Sequence, residues 1–113
     1  MYYKLGKKII NDTDYKLDFK ENAGRPFLAM DGKNNYYQIL DKSEHLYDLI
    51  EVGDLIKYDG RILEVLHLTI KDNIVIMETS KGIHLPSIER LLELITAIYK
   101  LDSDGDYIKV WEA

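Results

Sequence analysis

Apolar and polar positions along this chain recur mostly every second residue. That is the period of a strand with one buried face, and the spacing of a helix is seldom seen. Tyr15, Leu17 and Phe19 alternate with Lys16, Asp18 and Lys20, which predicts a half-buried strand. The strongest signal is residues 51–68, EVGDLIKYDGRILEVLHL. Leu55, Ile56 and Tyr58 precede an Asp59-Gly60 pair, and Ile62, Leu63, Val65, Leu66 and Leu68 follow it. Asp-Gly tolerates φ > 0 at both central positions of a type I′ turn, so the segment predicts a hairpin entered through a Gly53-Asp54 corner.

The rest of the pattern is read the same way. Residues 2–10 form a first strand and Asn11-Asp12 a turn. Residues 21–26, ENAGRP, form a loop by composition. Residues 27–30 and 36–40 form a second hairpin around Asp31-Gly32. Ser43 caps a short helix over residues 43–50, with Leu46, Leu49 and Ile50 on one face. Beyond the central hairpin, residues 74–78 are a strand with a potentially free edge for a second copy, residues 80–82 a turn and residues 83–85 a short strand. Pro86-Ser87 opens a helical turn through residue 94, and residues 94–100 and 107–111 are strands joined by a turn at 102–106. The fold class predicted is mainly β, a β-rich α+β fold with eight or nine short strands and one or two short helices. The chain reads as a single domain over 1–113, in which residues 41–50 separate N-terminal β-hairpins (1–40) from a C-terminal barrel (50–113).

Composition narrows the picture. With 113 residues, 46% hydrophobic and 31% charged, the chain has the material for a packed core, and disorder is not expected. It has no cysteine, which excludes disulfides, thiol catalysis and thiolate metal sites and fits a reducing cytoplasm. No apolar run is long enough to span a membrane, and the N-terminal residues lack a signal peptide's apolar stretch, so the expected location is cytoplasmic.

The net charge of −5 disfavours general nucleic-acid binding. It is unevenly spread. Residues 1–20 carry five Lys against three Asp, whereas residues 41–59 carry Asp41, Glu44, Asp48, Glu51, Asp54 and Asp59 against Lys42 and Lys57. Residues 101–113 add Asp102, Asp104, Asp106 and Glu112 against Lys109. Together these acids define a candidate acidic binding face, set against the ordinary reading of a solvated surface. Asp102, Asp104 and Asp106 also match the first, third and fifth ligand positions of a calcium loop. Tyr107 stands where that loop needs Gly, however, and Ala113 where it needs a bidentate Glu, so a hairpin turn is the simpler reading.

Other chemistry finds little support. His67 and His84 fall on strands that can bring them together near Glu64 or Glu78, but zinc needs three or four ligands. His45 belongs on a helix surface. There is no GxSxG, GxGxxG or GxxxxGK[ST], so no enzyme, metal or cofactor is expected. Nine tyrosines are the unusual count. Tyr2 and Tyr3 beside Lys4, Lys7 and Lys8 suit base stacking in a single-stranded nucleic-acid site. Exposed tyrosine is equally favoured at protein interfaces, and cross-strand packing on the sheet is the plainest use of these rings.

Val52 to Val65, V-G-D-x-I-x-Y-x-G-x-I-x-x-V, resembles the opening of SH3-like small barrels, in which a Gly-Asp corner leads into the first hairpin. The last segment, ITAIYKLDSDGDYIKVWEA, looks like the C-terminal hairpin of small accessory proteins encoded by phages and prophages of Gram-positive bacteria. The resemblance covers about residues 50–113 and carries no catalytic residues. It implies a non-enzymatic protein, monomeric or homodimeric, that binds a host or phage protein. One such activity is inhibition of host defences, CRISPR nucleases included, by acidic surface presented to a nucleic-acid channel. The alternative is a nucleic-acid-binding barrel that uses the N-terminal lysines and exposed tyrosines.

Overall fold

The computed structural model describes residues 1–5, 8–11, 18–22, 25–30 and 35–113. The chain divides into two compact units, Met1–Leu49 and Ile50–Ala113. Both are built on antiparallel sheets, as the two-residue periodicity requires. No helix among the described residues is long and apolar enough to cross a membrane.

The first unit holds β1 (Tyr2–Leu5), β2 (Lys8–Asn11), β3 (Asp18–Asn22), β4 (Arg25–Met30) and β5 (Tyr36–Ser43), followed by a single 3₁₀ turn at Leu46–Leu49. Its strand order is β2-β1-β5-β4-β3. The expected single strand over 2–10 is two strands that pair back on each other with Leu5 opposite Lys8. The loop expected at 21–26 is instead strand on both sides, with Asn22 opposite Arg25 and Glu21 opposite Pro26. Proline removes a ladder donor and is tolerated where the register slips. The register indeed shifts between Lys20 and Glu21. The turns expected at 12 and 31–32 and the strand start at 15–17 lie outside the described residues. β5 runs three residues past the expected strand because it has two partners, β4 along Tyr36–Gln38 and β1 along Ile39–Ser43. Tyr3 and Leu5 point into this unit's core with Ile10, Tyr37 and Ile39 against them.

The second unit is one sheet plus a short helix. Its elements are β6 (Leu55–Tyr58), β7 (Arg61–Lys71), β8 (Ile74–Thr79), β9 (Gly82–His84), α1 (Ile88–Leu94), β10 (Ile95–Leu101) and β11 (Tyr107–Glu112). The order is β11-β10-β6-β7-β8-β9. Consecutive strands β6 to β9 form a meander, and β10 returns to pair beside β6, where the meander began. β9 and β11 are the two edges, and no ladder joins them. β8, the strand expected to offer an edge, is paired on both sides.

Two devices give the sheet its course. At the β6–β7 turn both Asp59 (φ 49°) and Gly60 (φ 78°) have positive φ, as a type I′ connection demands. A second such turn follows at Asp72 (φ 50°) and Asn73 (φ 66°), built without glycine. β7 then bends. Its first half pairs with β6 and its second with β8, and Leu66 is the extra residue between the pairs Val65–Thr79 and His67–Glu78.

Helix α1 spans seven residues, too short to hold its shape alone. Ser87 caps it by accepting from the Arg90 N–H at 3.1 Å, and Leu91 anchors it in the core. Ile56, Leu63, Val65, Val75, Met77, Ile95 and Ile98 fill that core.

A Cβ at Gly60 would meet nothing within 4 Å, so Gly60→Ala isolates the cost of left-handed backbone. We expect a loss of about 1–2 kcal/mol in urea unfolding with an unchanged fold by circular dichroism.

Candidate functional site

The Gly53-Asp54 corner is the best-braced point of the second unit. Gly53 has φ 95°, which reverses the chain where a side chain would strain it. The Gly53 N–H donates to the Val65 carbonyl at 2.8 Å, and the Val65 N–H donates to the Asp54 carbonyl at 2.9 Å. These bonds stitch the corner to β7.

The side chain of Asp54 does the rest. The residue is 5% exposed, so its charge needs partners. Its Oδ2 accepts from the Glu51 N–H at 2.8 Å and from the Lys100 Nζ at 2.6 Å. Lys100 comes from β10 and is itself nearly buried. The Glu51 carboxylate lies 3.7 Å from the same ammonium. On β11, the Tyr107 hydroxyl donates to the Gly53 carbonyl at 3.1 Å. Three separate stretches of chain therefore meet at one end of the unit.

The β10–β11 turn sits at that end and is organised by Asp102. Its Oδ1 accepts from the Asp104 and Asp106 N–H groups, each at 2.9 Å. One carboxylate thus orders the turn, as Asp does in Asx turns, and leaves Asp104 and Asp106 exposed. Leu101 and Tyr107 are opposite each other in register and share a face. Both are exposed, Leu101 at 57%, and Val52 beside the corner is 67% exposed. Exposed apolar side chains, Val52, Leu101 and Tyr107, and exposed acids, Glu51, Asp104 and Asp106, thus lie at the same end of the unit.

The acids singled out from sequence separate accordingly. Glu51, Asp102, Asp104 and Asp106 share this end. Asp54 also lies there, but buried and paired, so its carboxylate does not reach the surface. Asp59 sits at the far end of β6, about 17 Å from Asp54 at ~3.3 Å per residue, where its N–H donates to the Leu94 carbonyl. Asp41, Glu44 and Asp48 belong to the first unit. There Asp41 lies opposite Lys4 and accepts from the Lys42 N–H at 2.8 Å, while Asp48 accepts from the Ser43 hydroxyl at 2.6 Å. Ser43 also accepts from the His45 N–H, at 3.1 Å. Ser43 thus forms a local turn ahead of the 3₁₀ turn, where a helix cap was expected.

The basic and aromatic candidates are spread over both faces of β1. Tyr3 is buried, whereas Tyr2 and Lys4 are half-buried on the opposite face. Lys8 is exposed and its ammonium lies 5.9 Å from the centre of the Tyr37 ring, a cation–π contact. Lys7 lies outside the described residues. The histidines do not converge. His67 is opposite Glu78 on the outer face, while His84 is opposite Met77 on the inner face, with its ring 5.2 Å from that of Tyr58. His45 stacks on Tyr47 at 5.0 Å. Among the described residues no three His, Asp or Glu side chains come together as a metal centre requires.

A shallow cleft of about 320 Å³ lies on the outer face of β6, β10 and β11. Ala97 gives it depth, and Lys57, Thr96, Tyr99, Lys109 and Glu112 line it. Within it the Glu112 carboxylate is paired with Lys109 at 3.2 Å.

Sequence reasoning missed Lys100 and the exposed residues Val52, Leu101 and Tyr107. Lys100 reads as an ordinary strand residue, because its partner lies 46 positions earlier. The signal available was Leu101 and Tyr107 flanking a turn, two apolar side chains just outside an acidic loop. Comparison with known proteins finds no match to the chain among family models, curated proteins or solved structures.

Removing one partner of a buried ion pair leaves the other charge stranded. Asp54→Ala and Lys100→Ala should each cost about 3–5 kcal/mol in denaturant unfolding. Asp54→Asn, which keeps an oxygen to accept from the Glu51 N–H, should cost less. Wild-type stability of Asp54→Asn would show that the charge is unimportant, and equal losses for Asn and Ala that the charge alone carries the cost.

Proposed function

We propose that the protein is a non-enzymatic binding module that docks on a basic surface of another protein through the corner end of its second unit. The carrying observation is the coincidence at that end of exposed apolar side chains and exposed acids, held on a braced scaffold. Val52, Leu101 and Tyr107 supply area and an aromatic anchor of the kind that dominates interface energetics. Glu51, Asp104 and Asp106 supply long-range attraction and discrimination against acidic partners. Asp54, Lys100 and the Asp102 turn hold the presenting backbone in place, which lowers the ordering cost of binding.

The resemblance to phage accessory proteins supports one subtype, an inhibitor whose acids stand in for phosphates in a basic channel. Within the second unit that mimicry rests on Glu51, Asp104 and Asp106, since Asp54 is buried, Asp102 is engaged in its own turn and Asp59 lies at the other end. The opposite reading, direct binding of nucleic acid by the N-terminal face, draws little from the geometry: Tyr3 is in the core, and Lys4 faces Asp41.

Affinity capture from bacterial host lysate, with wild type and two variants compared side by side, tests this reading. Wild type should retain a protein with a basic surface at low salt and lose it as salt rises. Asp104→Lys with Asp106→Lys should abolish capture, and Tyr107→Ala should weaken it at least about tenfold, the range of a hot-spot truncation. Retention unchanged by both variants rejects the site. A gel shift with single-stranded DNA or RNA at micromolar protein would favour the nucleic-acid alternative.

A further inference from the structure

The other end of the sheet carries a feature the binding patch does not use. β9 is an edge strand, and the residues exposed there are apolar: Ile83 at 67% and Leu85 at 62%. Soluble proteins usually blunt such edges with charge or proline. No charged side chain lies between Gly82 and Pro86. Pro86 does not blunt the edge either, as the hydrogen-bond parity shows.

The Val75 N–H donates to the Pro86 carbonyl at 2.8 Å. The register, with Met77 opposite His84 and Ile74 opposite Ser87, places Pro86 opposite Val75. Pro86 therefore directs its backbone groups toward β8. In an antiparallel ladder this direction alternates residue by residue. His84 and Gly82 also face β8, and the N–H and C=O groups of Ile83 and Leu85 point away, to the open edge. The missing N–H of Pro86 lies on the inner side and takes nothing from that edge. The same two residues thus present both the free ladder groups and the exposed apolar side chains.

The segment is also held ready. The Ser80 N–H donates to the Glu64 carbonyl at 3.0 Å, and the Glu64 N–H donates to the Ser80 hydroxyl at 3.1 Å. The Thr79 hydroxyl donates to the Gly82 carbonyl at 3.0 Å and accepts from the Lys81 N–H at 3.1 Å. Capped on one side by this turn and on the other by the Ser87 helix cap, the edge is ordered before any partner arrives.

We infer that β9 is a homodimer seam, in which it pairs antiparallel with β9 of a second copy of this chain about a two-fold axis at His84. This register sets Ile83 opposite Leu85 of the second copy, and Leu85 opposite its Ile83. Both pairs are of the hydrogen-bonded kind, so all four free backbone groups on each copy find partners. Setting Ile83 opposite Ile83 instead would put Leu85 against Lys81, which belongs to the turn. On the outer face, Ile76 and Leu85 continue into Ile83 of the second copy as one apolar row. At each end of the seam Lys81 comes opposite Ser87 of the second copy, beside its exposed Glu89, so the charges that meet there are of opposite sign. An edge that matches itself in hydrogen bonds, apolar pairs and terminal charge fits a second copy better than an arbitrary strand. The seam uses none of the residues of the acidic end.

Sedimentation of the full chain across a concentration series is the test. Wild type should pass from the 13.2 kDa monomer to twice that mass as concentration rises from about 10 μM to about 1 mM, the range of a small interface. Ile83→Lys with Leu85→Lys should stay monomeric, whereas Ile62→Lys, an exposed isoleucine on β7, should dimerise like wild type. Amide exchange on wild type needs no variant: the Ile83 and Leu85 N–H groups should exchange at least about tenfold more slowly at high concentration. A chain that stays monomeric throughout overturns the inference. So does a dimer indifferent to the edge substitutions, or exchange at Ile83 and Leu85 that ignores concentration.

Discussion

The second unit depends on one buried ion pair, Asp54 with Lys100. It joins the entry to the meander with the strand that returns beside it, two points 46 residues apart. A carboxylate and an ammonium out of water are costly unless closely paired and further hydrogen-bonded. Here the carboxylate also takes the Glu51 N–H, and the ammonium has Glu51 within 3.7 Å. Hydrophobic burial supplies the drive to collapse, but it is non-directional. The ion pair adds direction: it accepts one placement of β10 against the corner, and β11, the acidic turn and Tyr107 follow from that placement.

The same pair explains why an acid-rich segment does not form one continuous acidic surface. Asp54 is spent inside, Asp102 is spent on its own turn, and Asp59 is carried to the opposite end by β6. What remains exposed at the corner end is a smaller set, Glu51, Asp104 and Asp106, together with exposed apolar side chains. A surface of that mixture suits a protein partner better than a simple polyanion would. Charge brings the partner in and fixes its orientation, while apolar contact determines how long it stays.

Much of the fold was legible in the sequence. Alternation located most strands, Asp59-Gly60 identified the central turn, and Ser87 after Pro86 marked the helix start. The failures have physical causes. Residues 21–26 look like a loop because Gly and Pro are turn residues, yet a register slip lets Pro26 sit in a strand. The Asp72-Asn73 turn carries no glycine and so gives a weak signal. Residues 74–78 read as an edge, but sequence periodicity carries no information on which strand ends a sheet. The candidate site was legible only in part. Its acids were visible as charge, but the difference between buried and displayed acids depends on pairings 46 and 54 residues apart, Lys100 with Asp54 and Tyr107 with Gly53.

The most direct measurement of the account is residue-resolved amide exchange on wild type and Lys100→Met. The variant should lose protection at the Gly53 and Val65 N–H groups, which stitch the corner to β7, and along the β6–β10 ladder, while β1 and β5 in the first unit keep theirs. Protection at Gly53 and Val65 unchanged by the substitution would contradict the claim that the Asp54–Lys100 pair holds the corner.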